Sequence, residues 1–484
     1  MAAPIAVGSE RQLFLDDLLI ERTENLARRV RPLRKHAGNP VIRREEDWEP
    51  RSYLLFGSVI YDEDEGVWKA WSDGREGGVF YFTSPDGVHW ERPALDLFPI
   101  DGHPTNRIVL PPGGSLDPGW RNFQEFFGVS NVADEPDPAR RYRMGWLWLD
   151  RDWSGPNEAR FHPGQRRGLG VAVSPDGVHW TPLDEPATHA TCDGQTHWFF
   201  DERTGRWMLY GRTKHVDPRK REVHGAHPHF GNNWGRSVAL AQSEDFLHWT
   251  PDEGELVLTA DELDAPLDEI YSMGVFPYEG LYIGLVQVFH NYPEVVWLDI
   301  QLATSRDGVH FERLSDRSPL IACGEVGEWD RFNHSVANNA PIAVGDELRF
   351  YYSGRSAVHT SRFAQADDGK GVLGFDAAIG FGTLKRDRFA GMEAGFDGGT
   401  LLTKPLLLGT GAQGDRLFIN ADAAFGIVEV ELLSMDGAQL AAATVQAEDA
   451  TEIAVPLDLT AHAGEPVRVR FTVRNARLYA MWVG

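Results

Sequence analysis

Several acidic side chains in this chain of 484 residues stand directly ahead of apolar, strand-like runs. They are Asp47 and Glu49, Glu125, Asp193, Asp268 and Glu269, and Asp330. Cleaving the acetal between two sugars takes two carboxyl groups, one to protonate the leaving oxygen and one to act as base or nucleophile opposite. A third often holds hydroxyls or tunes its neighbours. Asp193 leads the set, because it sits between Cys192 and Gly194 in a stretch with few other charges. Glu269 is the expected acid: Tyr271 and the apolar Met273–Phe276 would set it beside a dry pocket, which raises a carboxyl's pKa. Glu49 is expected on the third side. Arg212 could ion-pair with Asp193 or clamp an anion, while His197, His334, Asp268 and Asp330 are expected to bind substrate at the same opening.

The loop from Thr213 to Gly235 holds His215, His224, His227 and His229 with Arg219, Lys220 and Arg221. It reads as a lid that bonds sugar hydroxyls, with Trp234 as a stacking platform. His227-Pro-His229 among Gly and Asn suits no standard zinc spacing, so neither a metal nor a cofactor is expected.

A repeated phrase shows what positions these residues. Ser-Pro-Asp-Gly-Val-His-Trp occurs at Ser84–Trp90 and again, unchanged, at Ser174–Trp180. Looser copies begin at Ser243 and Ser305, and Lys385–Phe389 keeps only the Asp and an aromatic. Asp should cap the turn, Gly should take the positive φ, and the His-aromatic pair should open an outer strand. Asp86, Asp176, Asp245 and Asp307 are therefore turn caps and not catalysts.

Strand signals precede each copy, among them the aromatic-rich runs Gly66–Trp71, Arg141–Trp148, Gly205–Tyr210, Gly280–Leu285 and Glu347–Tyr352. Three strands, a turn and a fourth strand make a propeller blade. Five units are expected, with boundaries near 47, 115, 190, 265 and 330, and the acids ahead of the innermost strands would converge at one mouth of the ring. Helical periodicity is nearly absent, with room for one turn in Asp16–Arg29. After Gly395 the phrase stops, and runs alternating at period two, such as Pro466–Val473, suggest a β-sandwich. The expected division is an N-terminal strap over the ring (1–46), a five-bladed β-propeller (47–395) and a β-sandwich (396–484), an all-β chain throughout.

The formal charge of −25 argues against a nucleic-acid partner or an anionic membrane, since both need a basic footprint. Two cysteines, Cys192 and Cys323, make no disulfide framework. The first residues lack a basic and then apolar leader pattern, so a cytoplasmic protein is expected, with a homo-oligomer left open.

The sequence resembles five-bladed β-propeller glycoside hydrolases, specifically proteins like glycoside hydrolase family 32 in the fructan- and arabinan-cleaving groups. The likeness rests on Leu13–Glu21, Asn39–Ile42, Trp48-Glu49, the repeated Ser-x-Asp-Gly-x-x-Trp and the ending Pro466–Phe471 with Ala476–Tyr479. It implies a hydrolase or transglycosylase acting on a terminal, furanosidic sugar of an oligosaccharide or glycoside. Asp193 takes the place of the family's third-blade acid; the family's Asn-Asp-Pro and Glu-Cys are not present. Two other functions compete: a non-catalytic carbohydrate-binding propeller, and a glycoside phosphorylase whose phosphate cradle the Thr213–Arg236 stretch would supply.

Overall fold

The structure, a computed structural model, describes residues 3–484 except 75–76, 112, 115–119, 121, 133–134, 151–165, 189–191, 216–217, 220–221, 223–233, 293–294, 359–376 and 410–415. It is nearly all β. Helical structure among the described residues amounts to short turns such as Pro138–Arg140 and Thr460–His462. The helical turn allowed for in Asp16–Arg29 is not formed; Ile20–Glu24 and Ala27–Val30 are strands.

Five sheets follow one another as antiparallel meanders, and each uses a different stretch of the repeat. Sheet one holds Leu54–Asp62, Val67–Asp73, Val79–Ser84 and Arg107–Val109. Sheet two holds Phe123–Asn131, Tyr142–Asp150, Arg166–Ser174 and Thr181–Pro182. Sheet three holds His197–Asp201, Arg206–Lys214, Arg236–Ser243 and Trp249–Leu258. Sheet four holds Asp268–Tyr278, Leu281–Asn291, Val296–Ser305 and Glu312–Arg313. Sheet five holds Phe332–Val336, Ile342–Val344, Glu347–Arg355 and Ala377–Lys385, and Arg34–Lys35 from the amino-terminal segment pairs along its outer edge.

The repeated phrase builds the same turn four times. Ser84 Oγ accepts from Gly87 N–H at 2.9 Å, while Asp86 Oδ1 accepts from Val88 and His89 N–H at 2.8 and 2.9 Å. Equivalent bonds recur in the other three copies. Gly177 takes φ 79°, and where the third copy lacks glycine, Phe246 takes φ 70° in its place. The histidine does not open the outer strand as expected. Its Nδ1 folds back onto the other aspartate oxygen, at 2.8 Å in the first copy. A fused turn of this kind is a stronger punctuation mark than a simple cap, because one carboxylate satisfies four donors.

Three of the four turns are also docking points. Trp71 Nε1 donates to Gly177 O at 2.7 Å, Tyr210 OH to Gly308 O at 2.8 Å, and Tyr351 OH to Gly87 O at 2.6 Å. The aromatic of a second strand thus ties sheet one to two, three to four, and five back to one. Inside, amides stitch the first strands together. Gln195 Nε2 donates to Leu55 O and Val336 O at 3.2 and 3.0 Å, and Asn338 Oδ1 accepts from Trp198 N–H at 3.0 Å.

The remaining strands form two larger sheets, one of seven strands and one of six. In Pro466–Arg474, Val467, Val469, Phe471 and Val473 point inward at period two. They share one core with Leu417, Ile419, Leu478 and Met481 of the other sheet. The amino-terminal segment, expected as a strap over the ring, is largely woven into this unit. Ile5–Val7 runs beside Leu406–Leu408, Ile20–Glu24 beside Gly399–Thr403, and Ala27–Val30 beside Ala390–Ala394.

Candidate active site

Register places one end of all five meanders together in kind: first strands begin where second strands end. Leu54 faces Asp73, Asp268 faces His290, and Phe332 faces Arg355. Third strands begin there too, with Arg166 opposite Asp150 and Arg236 opposite Lys214.

Asp193 lies just before the first strand of sheet three and is the most open of the three expected catalytic carboxyls, with a quarter of its side chain exposed. Its Oδ1 meets Arg167 Nη1 at 2.9 Å and accepts from Gly194 N–H at 2.9 Å; Oδ2 meets Arg212 Nη1 at 3.1 Å. Arg212 is buried and spent on fixing this arrangement. Its Nε donates to Tyr271 O at 2.9 Å, its Nη2 to Gly194 O at 2.6 Å, and its guanidinium stands 3.9 Å over the Tyr271 ring. The expected pairing of Arg212 with Asp193 is therefore present.

Glu125, on the first strand of sheet two, approaches the same spot. A β-carbon on Gly194 would lie 3.2 Å from Glu125 Oε2, 3.4 Å from Arg212 Nη2 and 3.7 Å from the Tyr271 hydroxyl. A side chain at Gly194 would press on Glu125 Oε2, which would have to give by a few tenths of an ångström. Lys214 completes the cluster. Its pKa is pushed down to about 8, first by burial and next by Arg236, against the pull of Asp193 and Glu269.

Two expected catalytic acids have other work. Glu269 is buried, and its Oε2 accepts from the backbone N–H of Gly235 and Arg236 at 2.7 and 2.8 Å. Its Oε1 meets Arg236 Nη1 at 3.0 Å and Asn291 Nδ2 at 2.5 Å. Apolar neighbours suggested a dry acid; instead four donors converge on an acceptor that fastens strand ends. Glu49 is likewise buried, accepting from Glu45 and Glu46 N–H at 2.6 and 3.1 Å and pairing with Arg92 Nε at 2.7 Å. It closes its own loop rather than a third side of the site.

The expected binding residues are mostly internal too. Asp330 holds Lys35 Nζ at 2.7 Å and the Tyr352 hydroxyl at 2.8 Å, tying the edge strand Arg34–Lys35 to sheet five. Both ring nitrogens of His334 face backbone carbonyls, Asp330 O at 2.8 Å and Ile321 O at 3.3 Å. Burial pushes the His197 pKa down to about 4, although Asn338 opposes the shift, so a neutral imidazole lies among the stitched first strands. Asp268 binds His290 Nδ1 at 3.1 Å, and Asp299 takes the other ring nitrogen at 3.2 Å. Burial lowers the His290 pKa, but the two carboxylates outweigh it and raise it to about 9. Trp234 is buried, so it offers no open ring face for stacking. Most of the proposed lid, including Lys220, Arg221, His224, His227 and His229, lies outside the described residues.

Arg167 was not among the expected site residues, while Lys214 and Arg236 were covered only as part of the Thr213–Arg236 stretch. Their shared signal is position: a basic residue at the mouth end of a second or third strand.

No protein family matches the chain, and no curated protein does. Among solved structures, the chain is similar to a glycosyl hydrolase from Bacteroides ovatus at 15% identity, covering 80% of this chain and 99% of that one with a TM-score of 0.46. It is also similar to a glycoside hydrolase family 43 arabinoxylan arabinofuranohydrolase from Bacillus subtilis at 14% identity, covering 93% and 99% with a TM-score of 0.40. A third likeness is to an N-acetylgalactosamine deacetylase from F. plautii at 16% identity, covering 78% and 94% with a TM-score of 0.41.

Proposed function

We propose that the protein is a glycoside-cleaving enzyme whose reaction takes place over Gly194, with Asp193 and Glu125 as its two carboxyl groups. The observation that carries this reading is the pair itself: two acids from neighbouring sheets brought to one glycine, one of them partly open to solvent and fixed by Arg167 and Arg212. Asp193 supplies the electron pair at the anomeric carbon, or to a water beside it. Glu125 gives its proton to the leaving oxygen and takes one back. Arg212 positions Asp193, and the Tyr271 hydroxyl faces the bound sugar.

The proposed architecture is a five-bladed β-propeller over roughly residues 47–395 with a β-sandwich after it, because five meander sheets follow in order and the fifth returns to the first. Gln195 joins the first strands of sheets one and five, and Asn338 reaches the first strand of sheet three. The proposed substrate is the terminal, furanosidic residue that the sequence resemblance implies.

A second reading, phosphorolysis, is favoured by one specific observation. Arg167, Arg212, Lys214 and Arg236 gather at this mouth in a chain of net charge −25. Incubating the enzyme with fructosides, arabinosides and other glycosides, with and without inorganic phosphate, tests both. Free sugar formed without phosphate supports hydrolysis, and a sugar phosphorylated at its anomeric carbon only when phosphate is present supports phosphorolysis. If Asp193→Asn and Glu125→Gln both keep full turnover, the site assignment is wrong.

A further inference from the structure

Four turns meet at one end of the two-sheet unit, and two asparagines lock them together. The Asn475 N–H donates to Gly395 O at 3.0 Å and its side chain to Phe425 O at 2.7 Å, while Asn25 Nδ2 reaches Gly398 O at 2.5 Å. Asn25 and Asn475 both hold positive φ, 51° and 45°. β-carbons at Gly399 and Gly426 would fall 2.3 and 2.0 Å from carbonyl oxygens of those same asparagines. The turns therefore have a single packing, and they enclose a cleft of about 660 Å³.

The cleft's polar wall is built around Arg477, held between Glu393 Oε2 at 2.8 Å and Asp422 Oδ2 at 3.0 Å, with Arg29 beside it. Two carboxylates and two guanidinium groups leave the wall without net charge. One wall residue, Phe425, holds its ring open to water at 91% exposed. A phenyl ring held out on a locked turn gains free energy when a ligand covers it.

We propose that this cleft binds a neutral oligosaccharide, separately from the mouth at Gly194. The C–H face of a sugar ring stacks on a phenyl face, and adjacent hydroxyls suit an alternating row of carboxylate acceptors and guanidinium donors. An anionic or cationic ligand would find no opposite net charge here. The site shares no residue with the mouth and does not rest on the hydrolytic reading.

Native affinity electrophoresis of the full chain in gels containing inulin, arabinan, xylan or mannan tests the proposal. At least one polysaccharide should retard the protein. Phe425→Ala should bind it about tenfold more weakly, the order expected when one stacking ring is lost, with unchanged melting. Asp193→Asn should be retarded as before, which separates this site from the mouth. Retardation by none of the four, or equal retardation of the Phe425→Ala protein, overturns the proposal. So does light scattering that shows a dimer lost on Phe425→Ala, because a second copy would then be the occupant.

Discussion

At the scale of residues, what distinguishes the acids is how many donors each one meets. Asp193 meets two guanidinium groups and keeps an open side; Glu269 meets four donors and has none. Asp193→Asn should abolish turnover and also cost about 1–3 kcal/mol, because buried Arg212 loses an ionic partner while keeping its two carbonyl acceptors. Glu269→Gln should cost more, about 3–5 kcal/mol, by leaving Arg236 without its counter-charge. Urea unfolding of both variants, read beside glycoside turnover, checks the order. His290 gives a pH prediction. Its folded pKa of about 9 lies above the ordinary 6.5, so its stabilisation is complete below pH 6.5 and is lost as pH rises through 9. Lys214, lowered to about 8, acts with the opposite sign above that pH, so the comparison belongs between pH 6.5 and 8. Over that window the wild type should lose stability, and His290→Gln should lose clearly less.

At the scale of elements, the repeated turn serves its own sheet and the sheet next door. Asp86 closes the turn from within, and Tyr351 of sheet five docks on it from outside through Gly87 O. Asp86→Ala and Tyr351→Phe should each cost about 1 kcal/mol. They should not add, since a turn loosened by the first offers a poorer acceptor to the second. A double-mutant cycle by chemical denaturation measures the coupling. A cycle that sums within error would mean that turn and dock are independent. Turnover should survive in both variants, because neither residue touches the Gly194 site.

At the scale of the whole molecule, the meander sheets and the two-sheet unit are joined by more than a linker. Leu13, Leu15 and Ala480 pack in one core with Phe276, Leu285 and Tyr352. Asp387, in the degenerate fifth copy of the phrase, binds Arg11 at 2.7 Å, the Tyr278 hydroxyl at 2.8 Å and Asn420 at 3.0 Å. Shared burial of this kind makes the parts unfold together. Differential scanning calorimetry should show one transition, with the calorimetric and van't Hoff enthalpies in agreement. Two resolved transitions would mean that the shared core is energetically minor.

The turns were readable from the sequence because everything that forms them is local: Ser, Asp, Gly and His within six positions close their own hydrogen bonds. Strand periodicity, the near absence of helix and the pairing of Asp193 with Arg212 were legible for the same reason, since pattern and spacing lie along the chain. The fate of the other acids was decided only in three dimensions. Asp330 is claimed by Lys35 from 295 residues away, Glu49 by Arg92 from 43, and Glu269 by Arg236 and Asn291 from neighbouring strands. An acid ahead of a strand looks the same in sequence whether it faces a substrate or a lysine. Burial and pairing are set by long-range contacts, and those contacts left Asp193 partly open with Glu125 beside it.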